Sequence, residues 1–222
     1  MDRNEKLKES LLKFLSDLFD LMVLNWFWIL CCLPVITIGP ATCAVYGVTL
    51  KLVRGEPVNT AKDFFRGFRD NFKSGLLLGL AAIVLAAVAA GDAWFALQQT
   101  DWMKNLYLVV AVIIGVIWLS WIGYTFALQA MFDAPLKTQV INAFKLVLVA
   151  PGKAISIWLQ LLFPVLLALV LPLEALKHLG FLYIAMGFSG PIYLASRIQR
   201  NVFDRVNGHP VVEEPAASEK EI

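Results

Sequence analysis

The sequence predicts an all-α, polytopic membrane protein: a helix bundle of about six membrane segments with two interfacial amphipathic helices. Of its 222 residues, 59% are hydrophobic and 16% are charged, whereas a typical soluble domain is about 25% charged. The mean hydropathy is +0.70, and several uncharged runs are long enough to cross a bilayer. Because these runs are continuous and backbone groups in lipid must bond internally, they favour helices over barrel strands.

The first 20 residues combine mixed charges with apolar side chains at helical spacing, including Leu7, Leu11, Phe14 and Leu18. This pattern predicts an amphipathic helix that lies at the membrane interface and continues into the first membrane segment. A cleaved signal peptide is the alternative, although the charged region mixes acids with bases and the apolar run continues past its small-residue site.

Residues 21–50 form an uncharged run without histidine. As one helix it would be about 45 Å long, well beyond a hydrocarbon core of about 30 Å. The run is also interrupted, since Pro34 removes a backbone donor and Gly39-Pro40 is a turn signal. It therefore cannot be one regular span. Because basic residues flank it on both sides, a broken hairpin with Pro34–Pro40 at its tip is predicted. The alternative is one broken crossing with an external N-terminus. The two limbs of the hairpin are residues 21–33 and 41–53.

Residues 51–73 are basic and predict the first interfacial helix, which begins near Pro57. Phenylalanines at spacing i, i+1, i+4 and i+8 would enter the acyl boundary, and the bases on the other face would reach anionic headgroups. The alternative is a soluble helix that binds a partner. The residues of this membrane-interface set are Phe64, Phe65, Phe68, Phe72, Lys62, Arg66, Arg69 and Lys73.

Residues 74–91 predict a membrane span rich in glycine and alanine. Gly75 and Gly79 have the spacing at which two helices approach closely. Packing within the bundle is the expected use, although the same spacing also occurs in helix dimers. A short loop, residues 92–104, then carries Trp94, which suits a membrane-interface belt.

Residues 105–132 predict a longer span whose second half carries a polar stripe. The stripe and two neighbouring tryptophans are expected to face the interior of the bundle, because polar side chains in lipid are costly. These residues are Trp118, Ser120, Trp121, Tyr124, Thr125 and Gln129.

The rest of the chain has the same order of elements. Residues 133–153 predict the second interfacial helix, and two further spans follow at 154–173 and 179–196. The apolar residues of the second interfacial helix have the spacing of the phenylalanines, shifted by 76 positions. An internal repeat of residues 57–132 and 134–198 is therefore a hypothesis.

Charge asymmetry predicts the orientation, because Lys and Arg concentrate in cytoplasmic loops. Their numbers are six in 51–73, one in 92–104, three in 133–153, one in 174–178 and three in 197–205. This alternation and the basic N-terminus place both termini, and both flanks of the hairpin, in the cytoplasm. Residues 1–206 are predicted to form a single integral membrane domain, and residues 207–222 a disordered cytoplasmic tail.

The hairpin and the segment after it carry several short motifs: Asn25-Trp26, Cys32-Leu33-Pro34, Thr37-Ile38-Gly39-Pro40-Ala41-Thr42, Tyr46 and Phe68-Arg69-Asp70-Asn71-Phe72-Lys73. Through them, the chain resembles the YesL family of bacterial membrane proteins over about residues 14–80. That family is a domain of unknown function whose members often lie beside genes for carbohydrate uptake. The resemblance implies a bacterial plasma membrane and a link to carbohydrate metabolism, and it implies no activity.

The sequence lacks a recognisable catalytic or metal-binding constellation. His178 and His209 lie in a predicted loop and in the tail, no phosphate-binding loop occurs, and the spans carry no central acid or base. The thiols of Cys31, Cys32 and Cys43 are expected to be buried and apolar in character. No cofactor is expected, and a net charge of +2 gives no reason to expect a nucleic-acid partner.

The hairpin tip has two interpretations. Its polar side chains either bond carbonyls freed by the prolines, and so only cap and staple the hairpin, or form one wall of a small-ligand pocket. The candidate tip residues are Asn25, Trp26, Trp28, Pro34, Thr37, Gly39, Pro40, Thr42 and Tyr46. Trp121, Tyr124 and Gln129 would form the opposite wall.

The functional hypothesis is a non-enzymatic membrane protein that is an accessory or regulatory partner of a carbohydrate uptake system. It would sit in the lipid bilayer and dock on a carbohydrate permease through the face of span 74–91. The alternative is a small-solute transporter or channel, and an intramembrane enzyme is a third. A transporter needs a continuous polar cavity lined by several spans, whereas an accessory protein is compatible with a closed bundle and an exposed face of small residues.

Overall fold

A computed structural model describes residues 3–98, 103–157, 172, 180 and 185–206 of the chain. The predicted all-α fold is confirmed for this part, which contains no strand. Its helices are α1 (Arg3–Cys31), α2 (Ile38–Arg54), α3 (Thr60–Asp70), α4 (Phe72–Gln98), α5 (Met103–Met131), α6 (Leu136–Val149) and α7 (Ser189–Val206). A 3₁₀ turn, Val35–Thr37, joins α1 to α2.

Several helical stretches have the length and composition of membrane spans. They are Leu7–Cys31, Val35–Arg54, Phe72–Ala96 and Lys104–Met131, and the pair α6 and Pro151–Ile157, bent by 109°, is a fifth candidate. These stretches are compatible with a multi-pass membrane protein. Much of the two last predicted spans, 154–173 and 179–196, lies outside the described residues. The total of six segments therefore stays a prediction.

Helices α1 and α2 form an antiparallel hairpin, as predicted. Near the turn, the indole Nε1 of Trp28 donates a hydrogen bond of 3.2 Å to the Thr42 hydroxyl. At the opposite end, the Lys13 ammonium lies beside Gly55, directly after α2. The amphipathic N-terminus and the limb at 21–33 belong to one helix of 29 residues. Both flanks of the uncharged run therefore lie at one end of the hairpin.

The turn of the hairpin is shorter than predicted. It covers residues 32–37, and Gly39 and Pro40 lie in the first turn of α2 rather than at the tip. Proline is tolerated there because a backbone N–H in the first helical turn has no acceptor within the helix. The Thr37 hydroxyl donates a hydrogen bond to the Pro34 carbonyl oxygen and closes the turn.

Helix α3 packs against α1 and α2. The Asn59 side chain caps its N-terminus by accepting a hydrogen bond of 3.1 Å from the Lys62 backbone N–H. Phe64 is fully buried, with its ring centroid 5.5 Å from that of Phe27 in α1. The expectation that the phenylalanines enter the acyl boundary is therefore wrong for Phe64, because a partner helix covers it. Phe65 is 51% exposed, and its contact with lipid stays a prediction.

Helices α2 and α4 cross at a contact made by three glycines. A Cβ atom at Gly39 would lie 1.9 Å from the Gly75 carbonyl oxygen and 2.9 Å from the Gly79 Cα atom. Each backbone occupies the space that a side chain would need, as in other close crossings of small-residue helices. The prediction that Gly75 and Gly79 serve packing within the bundle is confirmed. This part of span 74–91 is consequently not available to a partner.

The predicted loop at 92–104 is mostly helical, because α4 continues to Gln98 and α5 begins at Met103. Trp94 therefore lies on a helix, and it is 70% exposed. The polar stripe of α5 faces inward as predicted, since Ser120, Tyr124 and Thr125 are buried.

The second predicted amphipathic helix is α6, which exposes Ile141, Phe144 and Leu148. Its contact with a membrane stays a prediction. The internal repeat also stays a prediction, because much of its second unit, 134–198, lies outside the described residues.

Helix α7 continues beyond Ser196, where the last span was predicted to end. Val202 and Phe203 are buried in the bundle. The arginines after the predicted span belong to this helix, and the Arg200 guanidinium donates a hydrogen bond of 2.7 Å to the Val53 carbonyl oxygen. This contact holds the helix against the end of α2.

Arg54, the last residue of α2, contacts the C-terminal ends of α5 and α7. Its guanidinium lies 3.6 Å from the Asp204 carboxylate in α7 and 3.6 Å from the Met131 sulfur in α5. The Thr60 hydroxyl, at the start of α3, donates a hydrogen bond to the Asp20 carboxylate of α1. The flanks of the hairpin therefore share one end with the C-terminal end of α7, as the charge alternation predicts. The side of the membrane stays a prediction.

Candidate functional site

The Asn25 side chain joins α1 to the beginning of α7. Its Oδ1 accepts hydrogen bonds from the backbone N–H groups of Phe188 (3.0 Å) and Ser189 (3.1 Å). The Ser189 hydroxyl donates to the Leu21 carbonyl oxygen at 2.7 Å. The first N–H groups of a helix have no acceptor within that helix. Asn25 therefore caps α7 from a neighbouring helix, a role that the sequence did not predict.

The other tip residues lie at the turn, on the surface or, in the case of Gly39, Pro40 and Tyr46, buried in α2. Trp28, which donates to Thr42, also stacks on Phe188 with the ring centroids 4.1 Å apart. Trp26 is 50% exposed, and Pro34 is exposed at the turn. These placements support the interpretation that the tip residues cap and staple the hairpin.

The three residues of the predicted opposite wall face different neighbours. Trp121 donates from Nε1 to the Val140 carbonyl oxygen at 2.9 Å and packs against α6. Gln129 donates to the Asn71 side chain at 3.1 Å, between α3 and α4. Tyr124 is buried in the core. These side chains therefore do not form one wall, because each is engaged by a different helix.

A polar cluster that the sequence analysis missed lies between α2, α5 and α7. The Thr49 and Ser196 hydroxyl oxygens are 2.8 Å apart, and Gln199 donates from Nε2 to the Gly123 carbonyl oxygen at 3.1 Å. Such bonds link helices where a polar group has few other partners. The sequence does contain a signal for this cluster, because Ser189, Ser196 and Gln199, at i, i+7 and i+10, lie on one face of a helix.

Three further side-chain polar atoms belong to this cluster. They are Tyr46 Oη, Tyr124 Oη and Gln199 Oε1, and all three are buried. Tyr46 lies near both Gln199 and Tyr124, so a residue of the tip set and one of the opposite wall do come together here. Buried polar atoms are normally paired with protein or water. Tyr46 and Gln199 are close enough for such a pairing, which would link α2 to α7.

A polar cavity of about 430 Å³ opens where α2, α3 and α5 meet. Its charged lining includes Lys51, Asp63, Arg66 and Asp70, and Gln129 borders it. The Lys51 ammonium lies 3.1 Å from the Asp63 carboxylate. Because Asp133 also lines the cavity, three acids face two bases, and the lining does not favour an anion. The cavity suits a neutral polar or zwitterionic molecule better than a phosphate.

Asp63 links the stability of α3 to pH. Its carboxylate accepts hydrogen bonds from the Asn59 backbone N–H (3.0 Å) and the Lys51 ammonium (3.1 Å). Burial opposes ionisation, but these two bonds outweigh burial and lower the pKa of the Asp63 carboxyl below 3.8. The stabilisation is present above the unfolded-state pKa and is lost as pH falls through the lower folded-state pKa.

We expect Asp63→Asn to lower the stability of the purified protein near neutral pH and to flatten its decline at acid pH. The measurement is the unfolding midpoint in a denaturant titration at several pH values between about 3 and 7. Glu9→Gln, at an exposed position of α1 away from this cavity, is the control and should keep the unmodified profile. A decline with pH that is equally steep in the Asp63 variant and the unmodified protein would contradict the role of this carboxylate.

The described residues contain no group of three or more His, Cys, Asp and Glu side chains that could hold a metal ion. Cys43 is buried, Cys31 and Cys32 are half-buried, and all three are free thiols.

Comparison with known proteins bears on the first part of the chain. Residues 21–93 match a family model. The model is described as "Protein of unknown function, DUF624", and the match runs from α1 to α4, less than half of the chain. It includes the hairpin, α3 and the glycine contact. No curated protein and no solved structure matches the chain.

Proposed function

We propose that this chain is a non-enzymatic membrane protein of the YesL type, an accessory or regulatory partner of a carbohydrate uptake system. It would span the bacterial plasma membrane several times with both termini in the cytoplasm. The link to carbohydrate uptake rests on the resemblance of the hairpin motifs to that family. The observation that carries the proposed role is the surface of α4 beyond its glycine contact.

This surface is apolar, exposed and rich in alanine. Ala86, Ala87, Ala89 and Ala90 are all exposed. Lipid tails do not require small side chains, whereas contacts between membrane helices are enriched in them because they let the backbones approach. The partner that fits this surface is a membrane helix of a carbohydrate permease.

The interior of the bundle also supports an accessory role. The polar groups of Asn25, Thr49, Ser196 and Gln199 form bonds between helices, so much of the buried polarity of the described residues serves packing. The tip residues likewise hold the hairpin and α7 together. A protein of this kind presents its surface, rather than a reaction centre, to a partner.

The combination of Ala86→Leu with Ala90→Leu is expected to reduce the recovery of a carbohydrate permease with the tagged chain by about tenfold, which corresponds to about 1.4 kcal/mol. The two leucines would keep a partner helix away from the α4 backbone. The measurement is affinity purification from native membranes of sugar-induced cells, with the permease quantified by mass spectrometry.

The matched control combines Val84→Leu with Val88→Leu, on the opposite side of α4, where both valines are exposed. This control should recover the unmodified amount of permease. Equal recovery with both double variants, or no permease with the unmodified chain, would contradict the proposal.

A small-solute transporter or channel is the second candidate. It is favoured by the polar cavity of about 430 Å³ where α2, α3 and α5 meet, because polar and charged side chains that face a cavity in a membrane bundle mark solute pathways. Solute flux into liposomes that contain the purified chain alone would support this candidate and overturn the accessory role. Liposomes without flux, together with permease recovery from membranes, would support the accessory role.

A further inference from the structure

An apolar groove of about 480 Å³ lies between α5, α6 and α7. Its volume is within the range of small-molecule sites, about 300–1,000 Å³. The apolar lining comes from all three helices: Leu128, Phe132, Leu146, Val149 and Phe203. Leu128, Leu146 and Phe203 are buried, so the floor of the groove belongs to the core of the protein.

The groove continues into the exposed apolar side of α6. Val149 lines the groove and is 71% exposed, and the adjacent Leu148 and Phe144 are exposed as well. An apolar patch of this kind beside an apolar groove is unfavourable in water and favourable in the acyl region of a bilayer. The segment after α6, Pro151–Ile157, is bent by 109° from it. Such an angle is that of a helix lying on a membrane next to one that enters it.

One edge of the groove is polar. Lys145 and Asn142 line it from the same side of α6, at spacing i and i+3. Among the lining residues that the structure describes, Lys145 is the charged one. Gln139 also lines the groove, but it is buried and its amide donates to the Phe132 carbonyl oxygen. The remaining polar groups, one ammonium and one amide, match an amphiphile with an anionic head.

We propose that this groove binds an anionic glycerophospholipid. One acyl chain lies against Leu128, Phe132 and Phe203, and the phosphate accepts hydrogen bonds from the Lys145 ammonium and the Asn142 amide. The lipid thereby joins α6 to the ends of α5 and α7. The inference rests on the membrane location of α6, and it is independent of the permease contact proposed for α4.

The test is native mass spectrometry of the full chain in detergent during titration with dioleoyl phosphatidylglycerol or, separately, dioleoyl phosphatidylcholine. Phosphatidylglycerol should bind more tightly. Lys145→Gln should weaken its binding about fivefold, since a basic residue near an anionic headgroup contributes about 1 kcal/mol. Lys137→Gln is the matched control, because Lys137 lies exposed on α6 and does not line the groove. It should bind both lipids as the unmodified chain does.

A second variant tests the acyl chain. Ala134 lines the groove, so Ala134→Leu should weaken binding of both lipids by narrowing the space. Equal phosphatidylglycerol binding by the Lys145 and Lys137 variants would overturn the proposal. Unchanged lipid binding by a folded Ala134→Leu variant would also overturn it. A third contrary result is tight lipid binding that appears only after residues 207–222 are removed, because the tail would then be the natural occupant of the groove. Permease recovery with Lys145→Gln should equal that of the unmodified chain, so failure of one proposal is distinguishable from failure of the other.

Discussion

Gly39→Ala is expected to destabilise the protein by about 3 kcal/mol or more. The new methyl carbon would lie 1.9 Å from the Gly75 carbonyl oxygen and 2.9 Å from the Gly79 Cα atom. Both obstacles are backbone atoms, so no side-chain rotation can relieve the contact. Helices α2 and α4 would have to separate. The measurement is the unfolding midpoint of the purified protein in a denaturant titration, followed by circular dichroism.

Gly91→Ala is the matched control on α4. A Cβ atom there meets nothing within 4 Å, and alanine favours a helix over glycine by up to about 1 kcal/mol. This variant should be as stable as the unmodified protein or slightly more stable. If Gly39→Ala and Gly91→Ala had the same unfolding midpoint, the close crossing of α2 and α4 would be refuted.

Asn25→Ala is expected to cost about 2–4 kcal/mol, because it removes the acceptor of two N–H groups at the start of α7 and a buried donor without a partner costs about 1–3 kcal/mol. The Phe188 and Ser189 amides both donate to the Asn25 oxygen. The substitution should therefore lower the stability of the first turn of α7 as well as the free energy of unfolding of the whole protein. Hydrogen exchange followed by mass spectrometry should show faster exchange at the first turn of α7.

Trp26→Leu is the control for Asn25, since it changes the next residue of α1 at a half-exposed position. Its exchange pattern in α7 should match that of the unmodified protein. An Asn25→Ala protein with unchanged exchange at Phe188 and Ser189 would show that the cap contributes little to the stability of α7.

The hairpin was largely predictable, and its details were not. Basic residues on both flanks and two interruptions within an uncharged run favour a chain that returns to the same end over one broken crossing. The position of the turn could not be predicted, because Gly39-Pro40 fits both a turn between helices and the first turn of a helix. Only the capping geometry distinguishes these two placements. The spacing of the phenylalanines correctly predicted that α3 is a helix. It did not distinguish Phe27 from lipid as the neighbour of Phe64, since both are apolar.

The roles of the polar residues were harder to predict than the helices. Asn25 was identified as a polar residue inside an apolar run, but its partners lie 163 and 164 positions away, and periodicity carries no information about such distant contacts. The same holds for Thr49 and Ser196. The predicted pocket walls combined residues by chemical type, and most of them contact different helices in the structure. The unpredicted cluster around Gln199 consists of isolated polar residues, each of which suits helix packing equally well.

The contacts between the hairpin and α7 also order the events of biogenesis. The hairpin is synthesised first, yet Asn25, Thr49 and Val53 each bond to α7 or to the residue before it. At about 5–20 residues per second, the ribosome needs on the order of 10 to 30 s to make the intervening segment. During that interval the hairpin has no contact with α7. A chain that ends before α7 would lack these three links and should be degraded faster than the full chain.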